Sequence, residues 1–584
     1  MSKQSESEIQ ETGQTQADTL LNINFDLSLP YERPSFIEVP ASSDIGFEYI
    51  QLDLERLNNL KKNNFWNYLI NNIQPHLRFG ETLTIDKLIS YYPKYEEPLF
   101  TMKNSLNFFV EKIYHWVIKL TEDEEDNVAN IEKKIKSLAG ICLDKDKVLT
   151  DETFLILIKQ QRNNPNKDDV ERIWQLLACL SNSLLPSENF IYPLYNYYVA
   201  IIDNHPEERI KEWAKYCIKR LYELDRAKFK RNFNPSSREI AYSKARKKIP
   251  LNINLQNGRN FELFVESYYS VSDILKIILK KLGINKSYWV YFGLRENVEK
   301  HRQLEERPLN DNILIGDVIS NFELVMKLGG SSIRSCRVYL VLKVLPTEKQ
   351  AIESLKNFLL YGFVYNMFYD KECLDRIDII KKWGTLFQLE YGDFSEKPGF
   401  IKTKLRSYYH SFFLKYYSDE SFITSVEDNY KTRTGMDRDT CIKDILGLGE
   451  DNQHDLYNYF RVKFRNSNNQ NFREMHENMI IAISNNYFSI LEEVSKEKVM
   501  DIELEEVMSW GINEGLFVLC YGDKFETIKL YFECFNPYEI ADLLFAYANL
   551  KNGREPGSLV QKHEQLDKFM TNEKVRKVNL FSFK

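Results

Sequence analysis

The stretch from 149 to 194, LTDETFLILIKQQRNNPNKDDVERIWQLLACLSNSLLPSENFIYPL, constrains this chain most. Its apolar residues recur at helical spacing and are separated by explicit stops. Phe154, Leu155, Leu157 and Ile158 leave the first predicted helix apolar on most sides, which a buried helix tolerates and a surface helix does not. Asn163, Asn164 and Pro165 end it, because a residue before proline avoids the helical region. Ile173, Trp174, Leu176, Leu177 and Leu180 make a second such helix, with Asp168 or Asp169 as its expected cap. Pro186 and Ser187 restart the chain, and Phe190, Ile191, Leu194, Tyr198 and Ile202 form a third stripe. Thr150 is the expected N-cap of the first helix. Asp151 and Glu152 then fall in its first turn, where carboxylates suit the positive helix end, so they read as cap chemistry and not as a catalytic pair.

A helical bundle accounts for only part of 584 residues, so several domains are expected. The net charge of −7 argues against a dedicated nucleic-acid binder. Eight scattered cysteines form no CxxC pair, which points to free thiols in a reducing compartment. The polar N-terminus lacks the apolar core of a signal peptide, and no run of about 18 apolar residues occurs. A soluble cytosolic protein is expected.

Beyond the bundle, Ile210, Trp213, Ala214, Cys217, Leu221 and Leu224 mark a long amphipathic helix after Pro206. From Arg226 to Lys248 nine basic residues stand against one acid, Glu239, the sharpest charge asymmetry in the chain. Ile249–Leu255 alternates like a strand, Asn257-Gly258 suits a hairpin turn, and Phe261–Val265 returns. Asp273–Leu282 is helical and Gly283 stops it. Phe292-Gly293-Leu294 and Val338–Val344 read as strands. From Glu348 to about Tyr459 the pattern is helical again. Short strands then alternate at Met479–Ser484, Tyr487–Leu491, Ile502–Leu504, Leu516–Tyr521 and Ile528–Phe532. A final helix follows Asn536-Pro537.

Several of these pieces resemble known modules. Leu149-x-Asp151-Glu152, Ile158-Lys159-Gln160, Asn164-Pro165, Trp174-Gln175-Leu176-Leu177 and Pro186-Ser187-Glu188 occur in the order of the myosin tail homology 4 (MyTH) signature. Pro235-Ser236-Ser237-Arg238-Glu239-Ile240 resembles the joint between a MyTH and a FERM domain. The ββα order around Asn257-Gly258 looks like the first FERM lobe. Trp383-Gly384-Thr385 through Tyr391-Gly392-Asp393-Phe394 looks like the second lobe, although family members usually have small residues where Trp383 and Thr385 stand. The resemblance implies a multidomain α + (α/β) fold. An all-helical MyTH bundle would be followed by a three-lobed FERM: ubiquitin-like, helical (acyl-CoA-binding-protein-like) and PH-like. The expected divisions are 1–42 disordered, 43–234 MyTH, 235–345 first lobe, 346–465 second lobe, 466–553 third lobe and 554–584 a basic tail.

Such modules serve as cargo-binding tails of unconventional myosins and of a plant kinesin-like family, so the resemblance implies a non-catalytic, cytoskeleton-associated adaptor. Its implied partners are cytoskeletal filaments, cargo peptides and a separate motor. A linker to anionic membrane phosphoinositides and membrane-protein tails is the alternative. No Gly-x4-Gly-Lys-Ser/Thr loop, HExxH motif or paired histidine spacing occurs, and Gly329-Gly330-Ser331-Ser332 lacks the phosphate-loop lysine. No catalytic residue, cofactor or metal is expected. Lys228, Lys230, Arg231, Lys244, Arg246, Lys247 and Lys248 are the candidate contacts to microtubules or another acidic partner, against the plain reading of a solvated helix face. Lys159 and Arg162 are lesser candidates. A peptide groove in the third lobe would involve Tyr487, Phe488, Ile540, Leu544 and Tyr547, residue types more often found in cores. The tail aromatics Phe581 and Phe583 are of a kind that could fold back into it.

Overall fold

A computed structural model describes residues 64–551, apart from 79–84, 123–127, 228–230, 301–302, 331–332, 347, 369–374, 409–418, 449–456, 470–475, 514, 523–526 and 535–536. The expected disordered segment 1–42, Asn536 before the final helix and the expected basic tail lie outside the described residues.

Helices α1 (Phe65–Asn72), α2 (Asn104–Glu122), α3 (Val128–Asp144), α4 (Lys147–Gln161), α5 (Lys167–Ser181), α6 (Glu188–Asn204), α7 (Glu208–Arg226) and α8 (Ser237–Lys244) build one bundle. Its centre is α4, buried on every side from Leu149 to Gln161. That all-round burial corrects the expected capping. Asp146, not Thr150, is the N-cap, accepting from Val148 N–H at 3.3 Å, so Asp151 and Glu152 lie a turn further in. Their carboxylates work across space. Glu152 accepts the backbone N–H groups of Leu99 and Phe100, each at 2.8 Å, and Asp151 accepts that of Ser187 at 2.8 Å. A buried helix can keep charge only if every oxygen finds a donor. Here the donors are the chain ahead of α2 and the cap residue of α6. Likewise Asn166, not Asp168 or Asp169, caps α5.

The bundle runs past the expected division at 234. Helix α8 opens with a reciprocal capping box between Ser236 and Glu239, and it packs onto the bundle through buried Ile240.

The next lobe is a five-stranded sheet of order β2-β1-β5-β3-β4: β1 (Ile249–Leu255), β2 (Asn260–Val265), β3 (Phe292–Lys300), β4 (Gln303–Pro308) and β5 (Ile333–Leu342). Of the turn's Asn257-Gly258 pair only Gly258 takes a positive φ, 85°. Helix α9 (Val271–Lys281) covers one face and stops at Gly283, φ 69°. Sequence reading missed β4 and helix α10 (Ile315–Gly329). The latter has no side-chain cap, and Gly329-Gly330 proves to be its C-terminal stop.

Helices α11 (Lys349–Phe368), α12 (Arg376–Tyr391), α13 (Phe400–Tyr408), α14 (Glu420–Thr432) and α15 (Arg438–Leu446) form the second lobe. Trp383 is fully buried, and a Cβ on Gly384 would come within 2.9 Å of Asn429, which is why α12 and α14 can approach so closely.

The last lobe is a seven-stranded antiparallel sheet of order β10-β11-β12-β6-β7-β8-β9: β6 (Asn458–Ser467), β7 (Asn478–Ile483), β8 (Tyr487–Glu492), β9 (Lys498–Glu503), β10 (Val507–Asn513), β11 (Leu516–Gly522) and β12 (Thr527–Cys534). Helix α16 (Pro537–Lys551) packs on it, and Trp510 donates its indole N–H to Ala541 O at 3.0 Å. Strand β6 falls where helix was expected, and the expected division at 465 cuts through it. Polar contacts join the three lobes. Arg295 of β3 pairs with Glu306 of β4 at 3.2 Å and Glu539 of α16 at 2.9 Å, while Tyr365 of α11 donates to Glu306 at 2.7 Å.

Burial pushes the Glu152 carboxyl up to about 7 and that of Asp151 up to about 6, although backbone donors oppose the shift. Both groups titrate near pH 4 in an unfolded chain, roughly. Their contribution is therefore fully present below about pH 4 and is lost as pH rises through about 6 to 7. Glu152→Gln mimics the protonated acid that predominates at pH 5 and should change stability little there. Denaturant unfolding should show wild type losing stability relative to this variant as pH rises from about 6 to 8, because only the wild-type carboxyl ionises.

Candidate functional site

The basic run around the joint was expected to be a single surface patch. The structure divides it. Lys228 and Lys230 lie outside the described residues. Arg231 is a correction: its side chain is fully buried and is no surface cation. Its guanidinium donates to Glu239 Oε1 at 2.5 Å, to Ser320 Oγ at 2.8 Å and to Gly316 O at 3.3 Å, and Nε lies 3.4 Å from Asp317 Oδ1. Asp317 also accepts the N–H groups of Asn232 at 2.9 Å and Phe233 at 3.3 Å. Burial disfavours the arginine's charge, but Glu239 and Asp317 hold its pKa above the ordinary value. Burial pushes Asp317 up to about 6 against the pull of Arg231 and the two N–H groups. Glu239 belongs to α8 on the bundle, whereas Gly316, Asp317 and Ser320 belong to α10 of the first lobe. This cluster therefore locks two domains together.

Further polar contacts surround it. Arg220 of α7 pairs with Glu266, which follows β2, at 2.9 Å with both side chains buried. Lys136 of α3 donates to Ser237 Oγ at 2.7 Å and pairs with Glu323 of α10. Ser267 Oγ donates to Asn182 O at 3.4 Å. Leu224, Leu314, Leu185 and Tyr268 fill the apolar part of the seam. Gly316 is required here, because a Cβ would sit 2.8 Å from Ser267 O and 2.9 Å from Glu239 Oε1.

Lys244, Arg246, Lys247 and Lys248 remain on the surface. Arg246 and Lys247 are exposed, and Lys244 and Lys248 are half-buried. Arg246 adopts φ 55° and lays its guanidinium 4.5 Å from the Trp213 ring centre. Burial lowers the pKa of Lys219 on α7, and the charges of Arg220 and Lys248 lower it further while Glu223 and Glu266 raise it. Lys219, half-buried on α7, thus feels both the buried Arg220–Glu266 pair and Lys248. The neighbouring Lys211 and Lys215 pair with Glu208 and Glu212.

The other candidates are engaged within the fold. Lys159 is buried and pairs with Glu96 at 3.5 Å. Arg162 pairs with Asp86 and lies 4.5 Å from the Trp66 ring centre. The proposed groove residues Phe488, Ile540, Leu544 and Tyr547 are wholly buried in the core beneath α16, and Tyr487 is half-buried at the start of β8. Phe488, Ile540, Leu544 and Tyr547 thus belong to the core that holds the helix to the sheet. Among the described residues β10 is the edge strand nearest α16, with Met508 and Ser509 half-buried.

Comparison with known proteins agrees with this architecture. Residues 135–242 match the family model of the MyTH4 domain, and residues 462–551 match that of the PTB domain (IRS-1 type). The chain is 29% identical over 159 residues to Myosin-VIIa of Drosophila melanogaster, covering 26% of this chain and 7% of that protein. It is 22% identical over 295 residues to Kinesin-like protein KIN-14I of Oryza sativa subsp. japonica, covering 48% and 23%. The matched stretches thus span under a quarter of either relative. Among solved structures, the MyTH4-FERM MF1 domain of Dictyostelium discoideum myosin VII superposes with a TM-score of 0.71 at 15% identity, covering 86% of this chain and 99% of that one. The C-terminal MyTH4-FERM domain of human myosin 7b, in complex with the harmonin-a PDZ3 domain, superposes with 0.62 at 15%, covering 83% and 96%.

Arg231→Met would leave Glu239 and Asp317 buried together without their cation. The expected cost is about 3–5 kcal/mol, read as a lowered midpoint in thermal or denaturant unfolding. Faster limited proteolysis near residues 227–236 should accompany it. Lys247→Gln, on the exposed ridge, should leave both measurements unchanged.

Proposed function

We propose that this chain, a MyTH4 domain joined to three FERM-type lobes, is a non-catalytic platform that docks protein partners on the cytoskeleton, in the cytoplasm. The basic ridge of exposed Arg246 and Lys247, flanked by half-buried Lys244 and Lys248, carries this reading. The ridge lies on the seam between two domains that buried ion pairs hold in register, so its charges present a fixed pattern instead of a mobile tail. Fixed cations on a net acidic protein suit an acidic partner surface, of which the microtubule wall is the example favoured by the resemblance of the chain to motor tails. Cargo peptides fit a different place, the open edge of β10, where an added strand would find backbone hydrogen-bonding groups. The human myosin 7b module bound to a harmonin PDZ domain supports protein partners as a class. A separate motor remains a natural partner for a chain of this kind.

Co-sedimentation with taxol-stabilised microtubules across a salt series tests the ridge. Wild type should pellet at low salt and be released as salt rises. A variant carrying Lys244→Gln, Arg246→Gln, Lys247→Gln and Lys248→Gln should bind at least about tenfold more weakly, with its unfolding midpoint unchanged. Arg231 is left intact because it belongs to the buried joint. Failure of wild type to pellet at any salt overturns the microtubule reading. Binding to phosphoinositide vesicles instead, lost in the same variant, would make the ridge a membrane contact.

A further inference from the structure

Strand β2 lies at one end of the first-lobe sheet, and among the described residues no strand pairs with its outer side. The hairpin fixes which backbone groups face that side. Leu255 donates its N–H to Arg259 O at 2.8 Å across the turn, and the facing pairs then run from Asn254 and Asn260 to Ile249 and Val265. Hydrogen-bonded pairs alternate with non-bonded ones in an antiparallel ladder, so Phe261, Leu263 and Val265 turn their N–H and C=O toward β1. Asn260, Glu262 and Phe264 turn theirs outward. Among the described residues, the hydrogen-bond contact to these outward groups is from Lys281 Nζ of α9 to Glu262 O at 3.5 Å, the long limit for such a bond.

An open strand edge is a template for a further strand. Side chains and charge say which kind. Asn260, Glu262 and Phe264 are exposed, and Phe264 leaves 50% of a large ring in water. Exposed Arg246 and Lys247 precede Pro250, the residue opposite Phe264, by four and three positions, so the turn into β1 carries them to the Phe264 end of the edge. A second copy of this chain is a poor occupant. Two β2 edges paired antiparallel about Glu262 would set the two Glu262 side chains directly opposite each other and bring both Lys281 ammoniums together, and like charges so placed repel.

We infer that the β2 edge takes up an extended segment of a partner protein, with an apolar side chain against Phe264 and acidic side chains beyond it toward Arg246 and Lys247. Backbone pairing supplies affinity, and the side chains supply the choice of partner. The position opposite Glu262 is neutral, because an acid there would meet another acid. This edge is separate from that of β10, and it does not depend on the ridge meeting microtubules.

Random-sequence peptides of about 12 residues, long enough at roughly 3.4 Å per residue to span β2 and reach Lys247, are displayed on phage and panned against the full chain. A Glu262→Pro variant serves as the counter-selection. That proline removes an N–H that β1 does not use, so the unfolding midpoint should be retained while an added strand loses a donor. Surviving peptides should place apolar residues at alternate positions beside a group of acids. A synthetic survivor should bind Phe264→Ser, and the double variant Arg246→Glu with Lys247→Glu, at least about tenfold more weakly than wild type. Glu262→Gln keeps the N–H and should bind as wild type does. Amide exchange reads the register: the peptide should slow exchange at Glu262 and Phe264 and leave Phe261 and Leu263 unchanged. The proposal is overturned if no peptide survives the counter-selection, if survivors lack acids, or if exchange at Glu262 and Phe264 does not respond. Concentration-dependent dimerisation abolished by Glu262→Pro would also overturn it, in favour of a second copy. Microtubule pelleting by Glu262→Pro should match wild type, so the two readings fail separately.

Discussion

The ion cluster of Arg231 with Glu239 and Asp317 is the constraint on which the arrangement of the chain depends. A guanidinium removed from water needs its charge and its donors answered at once, and neither the helical bundle nor the first lobe can do that alone. Glu239 comes from α8 and Asp317 from α10. Because removing either half strands buried charge, the domains are held in one relative position. Replacing such a cluster by apolar side chains could hold the domains as firmly, but the fork geometry also fixes their register. Gly316 shows how tight that register is, since even a methyl group would meet Ser267 and Glu239.

The same logic operates inside each domain. In the bundle, Glu152 reaches Leu99 and Phe100, and Asp151 reaches Ser187, so the central helix holds two distant segments by its own acids. Among the FERM-type lobes, Glu306 receives Arg295, Asn297 and Tyr365, and Arg295 continues to Glu539 of the last helix. Apolar burial supplies most of the favourable energy of such a chain, but it is non-directional. The buried polar groups specify which element sits on which.

The same division separates buried cations from exposed ones. The cations with carboxylate partners across the joint serve the architecture. Arg246 and Lys247, on the turn into β1, are exposed, where charge interactions are weakened by salt. The described members of one basic run thus sit in two different environments, distinguished only by what faces each side chain.

The fold class and most elements were legible in the sequence. The helical stripes of Phe154–Ile158 and Ile173–Leu180, the Asn257-Gly258 hairpin, the stop at Gly283 and the Tyr391-Gly392-Asp393 turn are local signals, carried by side-chain periodicity and backbone preference. Helix α10 and strand β6 escaped because their local signals are weak, one lacking a side-chain cap and the other adjoining a long helical stretch. The sequence by itself determined where apolar faces and turns fall, since these depend on neighbours three or four residues apart. Only the tertiary structure decided the roles of Arg231, Asp151, Glu152 and the core aromatics beneath α16. A charge or a ring acquires its role from groups 36 to 86 residues away, and sequence spacing does not record which of them arrives.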